Sequence, residues 1–418
     1  MGTQSRIIAV GMTKLVRNGK SAMALKQDAL EIAVRSVPGL NVGSLDGLIT
    51  LPSLSETRFM DAHFLATRMN LLPNSSSKGI MVKTLDTGGA GPVTALLEAD
   101  SLIRHRGYSL VAIVAGDAVA SMSTEDFLRD ADAGCSDPQE ARAGPAIPTG
   151  YNRVAEWMID QGRVTRRQLA MVSVLMSRQA SRHPYALTRT PHSLDKVLQS
   201  TPIASVTTQL ECARRADGAA AVIVASSDFI KDHISSYPNS IYGAPIILGG
   251  GEASGPLYPP STITDDMFSC KRATQKAYQS AGLSTSDIDY FGLYDCFPVC
   301  FVKAVEDVGL APKGEGGRWV EDRYLQSERQ GGILSPLDFP VNTHGGLLSF
   351  GAPWETPAMH SIIEAVMQLS DLERGNEKDE MRINSDRQRQ VPFAKHALVY
   401  GNGGIFSASA VAILGRGK

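Results

Sequence analysis

The chain contains 418 residues, of which 43% are hydrophobic, and its formal net charge at pH 7 is −2. This length and apolar content are enough for two or three domains or for one large α/β unit. The balanced charge, with no basic block, argues against a nucleic-acid partner. No apolar run approaches the roughly 20 residues that a membrane-spanning helix needs. We therefore expect no membrane span.

The cysteines do not follow the pattern of a disulfide framework or of a zinc site. Their number is odd, and no two of them are spaced as Cys-x-x-Cys. The five positions are Cys135, Cys212, Cys270, Cys296 and Cys300. We predict no metal site and a reducing compartment.

In the first part of the chain, apolar runs of strand length alternate with segments of helical spacing. The predicted strands are 6–10, 46–51, 80–85 and 110–116, and the predicted helices are 22–37, 59–69 and 93–106. Such alternation predicts a largely parallel sheet with helices on both faces.

The alternation stops after residue 116. The next hundred residues hold a loop rich in glycine and proline, 144–150, and helices at 151–161 and 165–182. The strand pattern returns at 218–225. We interpret 117–216 as a loop domain inserted between two strands.

After a predicted hinge at 235–245, the order of elements starts again. The predicted elements are a strand at 245–249, a helix at 265–281, a strand at 288–293, a helix at 298–308, a glycine-rich turn at 314–317, the segment 341–346, a helix at 357–369, a strand at 397–400, a glycine-rich turn at 401–404 and a strand at 408–414. This order matches the first part element by element. We predict two similar halves, an N-terminal one of 1–116 with 217–240 and a C-terminal one of 241–418.

Tyr294 and Asp295 fall at the junction between a predicted strand and a predicted helix. Ligand sites of α/β proteins lie at such carboxyl ends of strands. The alternative is a buried tyrosine beside an aspartate that caps the helix.

Five short segments, in the same order along the chain, resemble the thiolase superfamily, and most closely its branch related to sterol carrier protein X. They are Arg182-His183-Pro184-Tyr185-Ala186, Asp217-Gly218-Ala219-Ala220-Ala221-Val222, Tyr294-Asp295-Cys296-Phe297, Asn342 with Gly345-Gly346, and Gly351-Ala352-Pro353. In the third segment, tyrosine replaces the histidine of the family's His-Asp-Cys-Phe tetrad. The resemblance implies a duplicated thiolase fold, with two βαβαβαββ halves in a five-layer αβαβα core. It also implies a homodimer.

The chain departs from this family at the catalytic side chains. The nucleophilic cysteine aligns with Gly89, the activating histidine with Ala352, and the second cysteine with Gly401. Thiolysis through a cysteine is therefore not expected. In the family, one oxyanion hole is formed by backbone amides, which correspond here to Gly89 and Gly403.

A thioester site without a nucleophile suits reactions that pass through an enolate, and the simplest of these is decarboxylation of malonyl-CoA. Tyr294 would be a neutral hydrogen-bond donor at pH 7. His344 is a candidate for the same task or for holding the substrate carboxylate, although it can equally face the sheet or the solvent. We predict substrate contacts from Asn342, Gly346 and Asp295. A coenzyme A thioester would be the substrate or ligand, and no cofactor is expected.

Two alternatives stay open. The first is a cysteine-independent aldol or retro-aldol step on a larger acyl-CoA, with a small partner protein. The second is a non-catalytic acyl-CoA-binding protein. In thiolases the inserted domain holds the nucleotide, so the candidate cations are Arg142, Arg153, Arg178 and Arg182.

The ends of the sequence suggest a location. Basic residues precede the first acidic residue, Asp28, which is the bias of a mitochondrial presequence. The last residues, 414–418, do not carry a Ser-Lys-Leu peroxisomal signal. We expect a mitochondrial protein, with the cytoplasm as the alternative.

Overall fold

The computed structural model describes residues 4–17, 19–72, 79–135, 144–233, 243–370 and 386–417. The strands are β1 (Ser5–Met12), β2 (Gly47–Thr50), β3 (Met81–Thr84), β4 (Leu110–Ala118), β5 (Asp217–Ser226), β6 (Ile246–Ser254), β7 (Tyr290–Gly292), β8 (His396–Gly403) and β9 (Ala408–Gly415). The helices are α1 (Ala22–Arg35), α2 (Asp61–Arg68), α3 (Gly91–Arg106), α4 (Thr124–Cys135), α5 (Ala146–Asp160), α6 (Arg166–Ala180), α7 (Leu194–Leu198), α8 (Ser227–His233), α9 (Cys270–Ala281), α10 (Pro298–Asp307), α11 (Gly316–Arg329) and α12 (Pro357–Leu369).

The strands form one nine-stranded sheet in the order β3-β2-β4-β5-β1-β6-β9-β8-β7. The two halves meet where β1 pairs with β6 through Arg6 and Ile246. Beyond β7, Val341 forms a parallel bridge to Phe291, in the place that β3 takes beside β2. Each half therefore carries the same strand order, outward from the junction. This topology confirms the duplicated thiolase fold.

The sheet is mixed, so the expectation of a largely parallel sheet was wrong. β2 is parallel to β3 and β4, and β7 is parallel to β8, whereas β4–β5, β5–β1, β6–β9 and β8–β9 are antiparallel. The physical reason is clearest at β8 and β9, which a short turn connects. A short turn permits only antiparallel pairing, because parallel strands need a long crossover.

The helices complete five layers. α1 covers β1, β4 and β5 from outside, and α9 covers β6 and β9. Between the halves lie α3, which packs on β4, β5, β8 and β9, and α12, which packs on β7, β8, β5 and β1. The residues of α12 are buried on nearly every side, as expected for a middle layer, whereas the buried residues of α9 recur at helical spacing on one side.

The chain between β4 and β5 holds α4, α5, α6 and α7. α5 begins at Ala146, within the segment that we predicted as a loop. Pro145 precedes the helix, and Pro148 lies in its first turn, where the backbone N–H groups have no partner inside the helix. α11 likewise begins at Gly316, within a predicted glycine-rich turn, and the sequence analysis did not anticipate it.

Two sequence predictions fall outside the described residues. They are most of the hinge at 235–245 and the candidate coenzyme A cation Arg142. Across the described part of the chain, no helix has the length and apolar character needed to cross a membrane. The same residues contain no group of histidine, cysteine and acidic side chains that could hold a metal ion.

Candidate functional site

Two glycine-rich segments, one from each half, touch through their backbones. A 3₁₀ turn, Gly88–Ala90, leads into α3, and the end of β8 packs against it. A Cβ atom built on Gly403 would lie 1.9 Å from the carbonyl oxygen of Thr87. Only glycine fits at so close an approach of two backbones. The structure thus places Gly89 and Gly403, the predicted oxyanion-hole residues, on contacting segments.

The segment 401–404 differs from its predicted form. Gly401, Asn402 and Gly403 continue β8 and pair with the start of β9, so the turn itself begins at Gly404. Gly404 has a φ of +59°. Strand pairing therefore holds the backbone of Gly403 in place, where a free turn was expected.

Tyr294 follows β7, and its hydroxyl group reaches Gly89. A Cβ atom built on Gly89 would lie 2.1 Å from the Tyr294 hydroxyl oxygen and 2.4 Å from the carbonyl oxygen of Asn402. The tyrosine hydroxyl therefore occupies the volume in which a side chain at position 89 would begin. Tyr294 is buried, and its hydroxyl makes no hydrogen bond to the residues that the structure describes.

The surroundings of Tyr294 keep its hydroxyl protonated. Burial raises the pKa of Tyr294 well above its ordinary value, and nearby Cys296, Cys300 and Glu355 raise it further. A phenol with such a pKa is a hydrogen-bond donor at neutral pH. Cys296 is partly buried and packs against the hydrophobic core.

Tyr151 and Asn402 support the site, and the sequence analysis missed both. The Asn402 amide nitrogen donates to the Tyr151 hydroxyl over 2.7 Å, and that hydroxyl donates to the carbonyl oxygen of Gly404 over 2.7 Å. The Tyr151 ring stacks on Phe297 at a centroid distance of 4.6 Å. The inserted α5 thereby holds the end of β8 in place. No motif marks Tyr151, because its partners lie far away in the sequence.

Asp295 is fully buried and organises a neighbouring turn. One carboxylate oxygen accepts from the backbone N–H of Leu347 over 2.7 Å, in the π-helical turn Gly346–Phe350. A Cβ atom at Gly346 would lie 2.1 Å from the other oxygen. Burial raises the pKa of Asp295 to about 7, although the amide of Leu347 opposes this rise. The substrate contacts of Asp295 and Gly346 stay predictions, and the observed contacts are structural.

Asn342 also has a structural role. Its side-chain oxygen accepts from the N–H of Leu293 over 2.7 Å, and its amide nitrogen donates to the carbonyl oxygen of Leu293 over 2.8 Å. The side chain thus pairs with the chain directly after β7, as a neighbouring strand would. These two bonds position Tyr294, the next residue, and occupy both ends of the Asn342 amide.

His344 is buried and therefore does not face the solvent. Its ring packs edge-on against Phe350 at 5.2 Å, and His183 and His360 pack against the same phenyl ring at 4.7 and 5.1 Å. Burial lowers the pKa of His344 to about 4. Its ring contacts are therefore with this histidine cluster rather than with Tyr294, and its proton-transfer role stays a prediction.

The histidine cluster predicts sensitivity to acid. Burial, with a smaller effect of His344, lowers the pKa of His360 from 6.5 to about 3. Below pH 6.5 the unfolded chain therefore binds a proton at His360 that the folded chain does not. The free energy of unfolding consequently decreases as the pH decreases. His360→Leu removes this loss. We expect the difference in the free energy of unfolding between variant and wild type to shift by about 2 kcal/mol in favour of the variant between pH 7.5 and pH 5.

Urea unfolding at the two pH values measures this shift. The control is His63→Gln on α2, because His63 is exposed. A shift of equal size in the control would contradict the interpretation.

Glu355 is a buried acid beside the site that the sequence analysis did not identify. Its Oε2 atom would lie 3.8 Å from a Cβ atom at Gly91, the first residue of α3. Among the described residues this oxygen has no hydrogen-bond partner. Burial raises the pKa of Glu355 well above the ordinary value, and Asp86 and Asp117 raise it further. Its position in the sequence could have identified it, since Glu355 lies two residues after the Gly351-Ala352-Pro353 segment.

The three described arginines proposed for coenzyme A all have partners within the protein. Arg153 donates to the carbonyl oxygens of Pro259 and Pro260, and Arg178 pairs with Glu328. Arg182 donates to the carbonyl oxygen of Leu334, and burial lowers its pKa to about 10. Their role in binding coenzyme A stays a prediction.

Sequence comparisons agree with this architecture. A family model, the thiolase C-terminal domain-like family, matches residues 260–416. The chain is 32% identical over 313 residues to an acetyl-CoA acetyltransferase of Methanothermobacter thermautotrophicus, and the alignment covers 74% of each protein. It is 28% identical over 287 residues to sterol carrier protein 2 of Bos taurus, which covers 65% of this chain and 46% of that protein.

Solved structures share the fold. An Ltp2-ChsH2(DUF35) aldolase superposes with a TM-score of 0.73 at 21% identity, covering 99% of this chain and 98% of that one. A monomeric SCP2-thiolase-like protein from Mycobacterium smegmatis has a TM-score of 0.68 at 18% identity, covering 99% of this chain and 77% of that one. The chain therefore belongs to the thiolase superfamily and is an SCP2-thiolase-like protein.

Proposed function

We propose that this protein acts on acyl-CoA thioesters without a cysteine nucleophile and that it cleaves the Cα–Cβ bond of a β-hydroxyacyl-CoA in a retro-aldol reaction. The observation that carries the proposal is the position of the Tyr294 hydroxyl, which fills the space where a side chain at Gly89 would begin. A protonated phenol replaces a thiolate there. Such a group can donate a proton or a hydrogen bond, but at neutral pH it is a poor nucleophile.

The reaction needs only proton transfers and stabilisation of an enolate. The Cα–Cβ bond breaks, its electron pair moves into the thioester enolate, and Cβ becomes a carbonyl carbon. The β-hydroxyl loses one proton and Cα gains one, so no oxidant or reductant is needed. Tyr294 is suited to protonate Cα, and backbone donors at Gly89 and Gly403 are suited to the enolate oxygen.

The acidic surroundings favour a neutral β-hydroxyl group over a malonyl carboxylate. Asp86, Asp117 and Glu355 all act on the same region, and each opposes a further negative charge. Lys26 acts there too, but it is paired with Asp61 at 2.8 Å. The similar fold of an Ltp2-ChsH2(DUF35) aldolase supports the choice. Because that aldolase combines Ltp2 with a second protein, ChsH2(DUF35), we include a small partner protein in our proposal.

Decarboxylation of malonyl-CoA is the second candidate. The contact between the Gly89 and Gly403 segments supports it as much as the retro-aldol reaction, because an oxyanion hole built from backbone donors would stabilise the enolate of either reaction. The two candidates differ in the leaving group, which is a carbonyl compound in one case and carbon dioxide in the other.

Purified protein should be incubated separately with a branched β-hydroxyacyl-CoA and with malonyl-CoA, and the shortened acyl-CoA followed by chromatography. We expect turnover of the β-hydroxy substrate. We expect Tyr294→Phe to lower the rate by about 10²–10⁴-fold, the usual contribution of a positioned proton donor. Because the hydroxyl makes no hydrogen bond to a described residue, Tm should change little.

Tyr278→Phe is the matched control. It removes a hydroxyl that donates to the carbonyl oxygen of Val308, outside the site, and should leave the rate unchanged. Product from malonyl-CoA alone would favour decarboxylation. If both thioesters bind and neither is converted, with or without a DUF35-type partner, the protein is an acyl-CoA-binding protein and the proposal is wrong.

A further inference from the structure

Glu355 lies where a second proton-transfer group for this site would have to be. It belongs to the segment that enters α12 from the second half, and its carboxyl group reaches the first turn of α3 in the first half. Gly89, against which the Tyr294 hydroxyl rests, is two residues before that turn. The carboxyl group of Glu355 and the hydroxyl of Tyr294 thus border the same short stretch of backbone.

One carboxyl oxygen of Glu355 has no partner within the part of the chain that the structure describes, whereas several other buried acids are held by hydrogen bonds or ion pairs. Asp295 accepts from a backbone amide, Asp117 from the amides of Leu54 and Ser55, and Glu364 pairs with Arg389. The Oε2 atom of Glu355, in contrast, has no hydrogen-bond partner among the described residues. A buried polar atom without a partner calls for an explanation, and a role in proton transfer is one such explanation.

The charge of Glu355 also acts on the reacting group. Its carboxylate is one of the charges that raise the pKa of Tyr294. Burial and the neighbouring Asp86 raise the pKa of Glu355 itself. A raised pKa means that this carboxyl group holds its proton more tightly than an exposed glutamate does, and groups with shifted pKa values are common at functional sites.

We propose that Glu355 is the general base that accepts the β-hydroxyl proton of the substrate while Tyr294 protonates Cα. The inference rests on the proposed retro-aldol function. The proton balance closes within the site: the substrate hydroxyl gives its proton to the Glu355 carboxylate, Tyr294 gives its proton to Cα, and Glu355 then returns a proton to the Tyr294 phenolate. No metal, cofactor or external reductant takes part.

The test is the pH dependence of kcat for Glu355→Gln and Glu355→Asp, with the same β-hydroxyacyl-CoA. In the wild type we expect a limb that rises with pH, with its midpoint above the ordinary range of a carboxyl group, because the base must be ionised. Glu355→Gln should lower kcat by about 10²–10⁴-fold and remove this limb. Glu355→Asp should keep the limb at a reduced rate.

The matched control is Glu306→Gln. Glu306 is also buried, and its Oε2 atom also lacks a hydrogen-bond partner among the described residues, but it contacts the start of α11 through Gly316. The control should keep both the rate and the limb. Tm of each variant shows whether a loss of rate reflects loss of folded protein.

The outcomes separate the two proposals. If the wild type turns over the β-hydroxy substrate and Glu355→Gln keeps the rising limb, the role of Glu355 is wrong and the proposed function stands. If a lower rate in Glu355→Gln comes with an unchanged limb, or only in proportion to a lower Tm, Glu355 is structural. If the wild type turns over no β-hydroxy substrate, both proposals are wrong.

Discussion

Gly89→Ala lowers the free energy of unfolding by about 1–3 kcal/mol or more, the usual range for overpacking a buried site. The new methyl group would lie 2.1 Å from the hydroxyl oxygen of Tyr294 and 2.4 Å from the carbonyl oxygen of Asn402. The tyrosine ring can move only by disturbing its buried neighbours, and the carbonyl group belongs to paired strand backbone in β8. Urea unfolding at pH 7 measures the loss.

Gly134→Ala is the control for this substitution. Gly134 lies in α4, and a Cβ atom there would meet no atom within 4 Å. Alanine at such a helical position should leave stability unchanged or raise it by up to about 1 kcal/mol.

A double-mutant cycle with Tyr294→Ala tests the contact itself. Truncating the tyrosine removes one of the two clashes, so the combined loss should be smaller than the sum of the single losses. Strictly additive losses would show that the Tyr294 hydroxyl does not fill the space at position 89.

Arg389→Met lowers the free energy of unfolding by about 3–5 kcal/mol, the usual effect of leaving one partner of a buried ion pair uncompensated. Arg389 and Glu364 are both buried, with 3.3 Å between the arginine Nε and a carboxylate oxygen. Thr343 donates to the same oxygen over 2.6 Å. Without Arg389, the Glu364 carboxylate keeps hydrogen bonds but loses the charge that offsets its burial.

The pH dependence of this variant carries a second expectation. Burial by itself raises the pKa of Glu364, but the charges of Arg389 and His183 lower it to about 2, against an ordinary value of 4.5. The folded state thus favours the ionised form, and its stability is lost as pH falls from 4.5 towards 2. Without Arg389 this acid dependence should weaken.

The double variant Arg389→Met with Glu364→Gln should recover most of the loss, because it removes the unpaired buried charge. Unfolding curves at pH 7 and pH 4 compare the single and double variants. Equal stability of the two at pH 7 would mean that the charge of Glu364 is not the cause.

Several predictions from the sequence stay predictions, because no observation on this structure tests them. The homodimer, the mitochondrial location, the boundaries of the inserted domain and the coenzyme A-binding role of the arginines are among them. The described arginines are bound to other parts of the protein, so a nucleotide would have to compete with these contacts or use other groups.

The sequence by itself determined the order of the elements and the duplication, whereas its prediction of a largely parallel sheet was wrong. Hydrophobic periodicity located the strands and most helices, since strands and helices bury their side chains with different periods. The repeated order of elements predicted the duplication, which the matching strand orders of the two halves confirm. Sequence patterns failed to predict α11 and the start of α5. In both places glycine or proline suggested a turn, but these residues occupy the first turn of a helix.

Only the tertiary structure decided how the predicted site residues are used. The side-chain oxygen atoms of Asn342 and Asp295 accept hydrogen bonds from backbone N–H groups, and His344 packs into a histidine cluster. The contact between Tyr294 and Gly89, and the approach of Glu355 to Gly91, join residues that are about two hundred positions or more apart. Such contacts depend on how the two halves close around α3 and α12, and local periodicity carries no information about that closure.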